Sequence, residues 1–246
     1  MSLEKELRSW SLSSAGSYRV YSDIRMNFPM GIGDVMHPLL IEIRERLGAV
    51  YIIPQCCIDL LNDYGKVIVA EHSKEVANEA KRLAKLFQED GETIEIACFL
   101  HDISIIIQRD KHIEIAESLN LCIMPEERAF PLIIHQKLSA EIARIIFGMT
   151  DERILNAICC HSTLKANPTK LDMILFIADK IKWDQGGIPP YDDLVQEGLK
   201  KSLEHGVFAY VKYLYDNKSK LKVIHPWLVE AYKYLSMHLG SESNII

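Results

Sequence analysis

Glycine is scarce in this chain, 12 residues in 246, and no stretch alternates apolar and polar residues long enough to make a half-buried strand. That disfavours a sandwich or barrel, in which short alternating strands are punctuated by turn residues. Positive charge is also in the minority: 28 Lys and Arg stand against 34 Asp and Glu, a formal net charge of −6. General electrostatic attraction to nucleic acid or an anionic membrane is therefore not expected, and any phosphate-bearing ligand must be held locally. No apolar run is long enough to cross a bilayer. The six cysteines, at 56, 57, 98, 122, 159 and 160, include no Cys-x-x-Cys spacing, and the chain is too long to need disulfide staples. With no secretory leader recognised, the reducing cytoplasm is the expected setting. Cys159 and Cys160, inside the apolar run from Ile158 to His161, read as small core residues rather than metal thiolates. What is present, 48% hydrophobic and 25% charged residues, is ample for one large domain with an appendage.

Residues 1–50 differ from the rest. They are Ser-rich from 9 to 17, and from Met26 to Asp34 Pro and Gly interrupt any periodicity. We read 1–50 as a partly irregular N-terminal extension and 51–246 as the domain proper. Helices are predicted from His37 to Gly48 and from Gln55 to Tyr64, each closed by a glycine. From Val69 onward Val76, Ala80, Leu83 and Phe87 recur at three- and four-residue steps, and His72 lies one turn before Val76 on that face. An apolar helix is predicted from Thr93 to Ile103, ending in His101 and Asp102. Ser139 to Phe147 follows, then Asp151 to His161 with Asp151 as its N-cap. In Lys170 to Lys182, Leu171, Leu175 and Asp179 recur every fourth residue. Asp193 to His205, and on through Trp227 to His238, also reads helical. The fold class is all-α.

An ionised aspartate on an apolar stripe costs several kcal/mol unless it is paired or coordinated. Imidazoles and carboxylates together suit borderline divalent ions such as iron, manganese or zinc. His72, His101, Asp102, His135, His161 and Asp179 are enough for two ions rather than one. A lone buried His is more often a hydrogen-bonded core residue, and His37, His112, His205, His225 and His238 are read as structural or surface. Lys137, Lys165, Lys180, Lys182, Arg109 and Lys111 lie near the cluster in sequence. Lys180, beside Asp179, is nominated as the substrate contact, the others being ordinary solvated cations. Ser73 and Thr163 follow ligands closely enough to orient a water or a phosphate, as helix-surface hydroxyls also do by chance. Trp183 and Tyr191 flank the turn-prone Gly186-Gly187-Ile188-Pro189-Pro190, where an aromatic ring could stack on a nucleobase or simply cap the core.

A single His, then His-Asp on a later helix, then two spaced His and a final Asp resemble the HD superfamily of metal-dependent phosphohydrolases. Over Leu60 to Leu239, the segments Glu71 to Val76, Phe99 to Ile103, Pro131 to His135, Ala157 to Thr163 and Phe176 to Ile181 look like its YqeK branch. Members of that branch cleave diadenosine tetraphosphate symmetrically to two ADP with a di-iron centre. The resemblance implies an HD-type helical bundle with the six residues as metal ligands, Asp102 bridging two ions, and His101 and Asp102 catalytic. Iron is favoured, with manganese, nickel or zinc as alternatives, and the partner is a small nucleotide or phosphorylated substrate. The chain departs from the branch at Ile105, where a Lys is usual, and at Gln136 and Leu164, where Gly is usual. It departs again at Ile181 to Gln185, where Ile-Glu-Pro-x-x-Arg is usual. A reshaped pocket is the expectation. The alternative is a metal-bearing nucleotide sensor or partner-binding HD module without turnover. Leu39 to Ile41 could dock on its own domain or, in a homodimer, on a second copy.

Overall fold

The computed structural model describes residues 37–47, 52–183 and 186–242. The Ser-rich and Pro/Gly-interrupted parts of the expected extension lie outside the described residues. Among the described residues all regular structure is helical, as an all-α chain requires. Helix α1 (Pro38–Leu47) buries Leu40 and Ile43, and α2 (Gln55–Asp63) buries Cys57, Leu60 and Leu61. The long α3 (Val67–Phe87) presents Ala70, Ser73, Val76, Ala77, Ala80, Leu83 and Ala84 inward, the stripe read from its spacing. It ends in a left-handed Gln88, φ 57°, a conformation more usually given to glycine.

Asp90 caps α4 (Gly91–Leu100) by accepting from the Glu92 amide at 3.0 Å. The predicted helix runs on to Ile103, but α4 stops at Leu100, and a tight 3₁₀ turn follows over Ile103–Ile106. Consecutive residues of a continuous helix diverge by about 100°. Asp102 leaves helical values (φ −109°, ψ 15°), and this break lets His101 Nε2 and Asp102 Oδ2 approach to 3.4 Å.

Two short helices, α5 (His112–Ser118) and α6 (Pro125–Ala129), lead through a 3₁₀ turn at Pro131–Ile134 into α7 (His135–Ile145). α7 starts a turn earlier than the predicted Ser139, because its first turn carries Gln136 and Lys137, polar residues that are buried rather than solvated. In α8 (Glu152–Cys160) Asp151 is the N-cap, accepting from Arg153 N at 2.9 Å. In α9 (Lys170–Ile181) a Thr169/Asp172 capping box fixes the start, and Ile174 through Ala178 are fully buried. A helix apolar on every side belongs in the middle of a bundle, and α9 packs against α3, α8 and the later α11.

The predicted run from Asp193 to His205 is in fact two helices, α10 (Asp192–Leu199) and α11 (Leu203–Asp216). Their turn is tight because Gly198 and Gly206 have no side chains to collide: a Cβ on Gly198 would stand 2.6 Å from the His205 carbonyl oxygen. The final helix α12 (Pro226–Glu242) packs on α11.

Candidate metal centre

Five helices deliver the cluster. His72 comes from the inner face of α3, His101 and Asp102 from the end of α4, His135 from the start of α7, His161 from the end of α8, and Asp179 from the last turn of α9. All six sequence-predicted residues are brought together. His72 Nε2 lies 2.9 Å from Asp179 Oδ1. His101 Nε2 stands 3.4 Å from Asp102 and 3.7 Å from Asp179. On the other side of Asp102, His135 Nε2 and His161 Nε2 lie 3.3 and 3.4 Å from its Oδ1.

The tautomers follow from a repeated local device. His101 Nδ1 lies 2.6 Å from the Cys98 carbonyl, His135 Nδ1 2.7 Å from Leu132, and His161 Nδ1 2.8 Å from Ile158. A carbonyl only accepts, so each Nδ1 carries a proton and each Nε2, where it is unprotonated, presents a lone pair to the cluster. Three lone pairs then face two carboxylates, with His135 Nε2 only 3.0 Å from His161 Nε2. The fully buried His101 Nε2 has no hydrogen-bond partner. Such a group of acceptors is unstable without positive charge among them.

The proton equilibria express the same demand. Burial opposes charge on His101, but the Asp102 and Asp179 carboxylates outweigh it and push the ring up to about 10. Burial, reinforced by His135 and His101, pushes His161 down to about 4. Asp102 and Asp179 are held well below the usual carboxylate range despite burial, chiefly by His101 and by Lys180 respectively. Divalent cations fit this donor set. The ligand atoms form three overlapping triads, His72–His101–Asp102, His101–His161–Asp179 and Asp102–His135–His161, with atoms within 4.8 Å of one another.

The centre forms the floor of a pocket of about 240 Å³, whose walls include Ser162, Lys180, Trp183, Tyr191 and Tyr210. Of the six cations near the cluster in sequence, Lys180 alone is among these lining residues; its Nζ is 2.5 Å from Asp179 Oδ2 and its side chain is 17% exposed. Lys137 turns away into an ion pair with Glu127 at 2.8 Å, Lys165 pairs with Asp172 at 3.0 Å, and Lys111 pairs with Glu114 at 2.7 Å. Arg109 lines a separate depression beside Phe130.

The hydroxyls are redistributed. Ser162, not Thr163, faces the centre, with Oγ 3.1 Å from His135 Nε2. Thr163 donates to its neighbour's carbonyl at Leu164 and accepts from Gln136 Nε2 at 3.1 Å. Ser73 is buried on the inner face of α3 and is not among the lining residues. Gln136, which the sequence marked only as a departure, is fully buried, and its Oε1 accepts from Ser162 N at 3.1 Å. It therefore ties the start of α7 to the end of α8, the two places that supply His135 and His161. Its signal in sequence is a polar residue on a buried first turn. Leu164 is fully buried with φ 58°, the left-handed region that suits a glycine. Ile105 is packed against the core and offers no cation. His37, His205, His225 and His238 bond to Glu114, Ser202, Glu127 and the Tyr234 carbonyl, away from the cluster.

The HD domain family matches residues 69–184, the interval that carries all six converging residues. The chain is 38% identical over 194 residues to an uncharacterized protein in the pepC 5′ region of Lactococcus lactis subsp. cremoris, covering 74% of this chain and 98% of that one. It is 32% identical over 127 residues to the symmetrical bis(5′-nucleosyl)-tetraphosphatase of Staphylococcus aureus, covering 50% of this chain and 62% of that enzyme, less than two thirds of its length. A crystal structure of a predicted HD superfamily hydrolase involved in NAD metabolism, from Clostridium acetobutylicum, superposes with a TM-score of 0.65 at 27% identity, covering 75% of this chain and 97% of that one. The ordered ligands, the helical scaffold and these relatives agree: the chain belongs to the HD superfamily of metal-dependent phosphohydrolases, in its YqeK-like branch.

Proposed function

We propose that the protein hydrolyses a phosphoanhydride in a nucleotide substrate, with diadenosine tetraphosphate giving two ADP as the leading case, at a centre that holds two divalent cations. The observation that carries this reading is the convergence of three Nε2 lone pairs, each fixed by a backbone carbonyl behind it, on two buried carboxylates. His72, His101, Asp102, His135, His161 and Asp179 would hold the ions. Asp102, approached by His101 on one oxygen and by His135 and His161 on the other, is the carboxylate placed to serve both. When bound, the cations would supply an acidified water and neutralise charge on the phosphoryl oxygens. Iron is favoured through the family resemblance; the donor set itself also accepts manganese, nickel or zinc.

The protein's own groups then bind and orient. Burial works against the Lys180 charge, but Asp179 and its surroundings more than offset this and keep the ammonium protonated. At the pocket wall it offers a fixed positive charge to a phosphoryl oxygen. The Ser162 hydroxyl, beside His135, adds a donor for a second oxygen.

The test is the metal content of protein purified without chelator, followed by assay of the same sample on diadenosine tetraphosphate. Two ions per chain with ADP as the product support the proposal. Two ions without turnover of the tetraphosphate move the substrate elsewhere, and protein that takes up no transition metal overturns the reading.

A further inference from the structure

We propose that the Trp183 indole is the platform on which the substrate's nucleobase stacks, so that this residue sets the preference for nucleotides over base-free polyphosphates. The proposal rests on the nucleotide reading above and deepens it. Trp183 lies two residues beyond the end of α9, the helix that supplies Asp179 and Lys180, and lines the same pocket as both.

The ring is held in place. Its Nε1 donates to the Gly186 carbonyl at 2.9 Å, and it meets Tyr191 edge to face, centroids 5.8 Å apart at 79°. Tyr191 is buried behind it, donates its hydroxyl to the Lys180 carbonyl at 3.1 Å and packs on Tyr210 at 4.5 Å. With its one polar atom already bonded, the indole offers the pocket an apolar π-surface and nothing for a phosphate to bind. A ring fixed beforehand loses little entropy on stacking. The pocket thus has a charged floor of His, Asp and Lys180 and a neutral aromatic wall, the division of chemistry that a nucleotide has between phosphate and base. At about 240 Å³ it is smaller than pockets that enclose a whole drug-sized ligand. It takes the reacting phosphate and one flat ring, with the rest of a long substrate outside.

The experiment compares the metal-loaded wild type with Trp183→Leu and Trp183→Phe, using diadenosine tetraphosphate and inorganic tripolyphosphate as substrates. In Trp183→Leu the ratio of kcat/KM for the nucleotide to that for tripolyphosphate is expected to fall about 10- to 100-fold, through KM, on the usual strength of base–aromatic stacking. Trp183→Phe should restore most of it. An equal loss on both substrates, or no loss on the nucleotide, overturns the platform. A second readout is independent of turnover: AMP should quench tryptophan fluorescence saturably in the wild type, and the quench should disappear in Trp183→Phe, which retains Trp10 and Trp227. Saturable quenching without hydrolysis supports the platform while refuting the hydrolytic reading. Hydrolysis with an unchanged indole signal refutes the platform alone.

Discussion

Lys137 lies two residues beyond His135 yet takes no part in the metal centre, and its replacement by Met makes a sharp test of how the scaffold is held. Its ammonium, on a side chain only 8% exposed, sits 2.8 Å from Glu127 and 2.8 Å from the Cys122 carbonyl, with the Trp227 ring 4.9 Å away. Glu127 is fully buried; it also accepts from Met124 N at 2.8 Å and pairs with His225 at 3.3 Å. The cluster joins α6, α7 and the start of α12. Lys137→Met keeps the volume of the stem and removes only the charge, leaving the Glu127 carboxylate buried without its cation. Breaking one side of a buried pair costs ~3–5 kcal/mol, which for a chain of this size lowers Tm by about 6 to 20 °C.

The sign with pH follows from Glu127. Burial would raise its pKa, but His225, Lys137 and the Met124 amide together hold it below the usual glutamate value. Its contribution in the wild type is complete above the ordinary carboxylate range and is lost as pH falls through the depressed pKa. Without Lys137 burial dominates and that pKa rises, so the penalty is largest at neutral pH and shrinks in mild acid as the carboxyl takes up a proton. Glu127→Gln added to Lys137→Met removes the stranded charge and keeps an acceptor for Met124 N, so the double variant should regain at least half the loss. Thermal unfolding of the three proteins at neutral and mildly acid pH reads all of this. A loss under ~1 kcal/mol, the same loss at both pH values, or a double variant no better than the single would refute the reasoning.

Asp102→Ala should cut turnover by roughly 10³-fold or more, since several kcal/mol of charge stabilisation goes with the centre, while far-UV circular dichroism and cooperative melting persist; a nearly normal rate would refute the assignment. Stripping metal with a chelator should lower Tm by about 5 to 10 °C, as expected for loss of a ligand present at ~100 times its Kd, and readdition should restore it; an unmoved Tm argues against bound metal. Gly198→Ala should destabilise by ~1–3 kcal/mol, because the new Cβ meets the His205 carbonyl backbone at 2.6 Å, whereas Gly206→Ala should cost less, its contact at 2.5 Å being the movable Leu199 side chain; equal melting curves for the two variants would contradict the close approach.

The parts of this protein legible in its sequence are those governed by periodicity over many residues. The inward face of α3 and the buried stripe of α9 follow from spacing alone, and so do the directions of His72 and Asp179. The places misread are helix ends. The α10–α11 turn was invisible because both helices are good formers and the break lies at Lys200 to Ser202, with no proline and with its glycines inside the flanking helices. The early start of α7 was missed because Gln136 and Lys137 look like solvent-facing residues, and each is buried only because a partner distant in sequence, Thr163 or Glu127, waits for it.

Those helix ends are also where the chemistry of the centre is decided. The last carbonyls of a helix have no amide four residues on to bond them. Cys98 and Ile158 are two such carbonyls, and Leu132 lies in the 3₁₀ turn that opens α7; each receives the Nδ1 proton of the histidine three residues later. Had α4 run to Ile103, as its apolar composition suggests, the Cys98 carbonyl would have accepted the Asp102 amide as well. Asp102 would then have turned about 100° away from His101. Stopping the helix at Leu100 therefore brings these neighbouring residues onto one side. A His-Asp pair acquires metal-binding geometry because the helix stops there, so the dipeptide carries meaning only together with the local structure that ends at it.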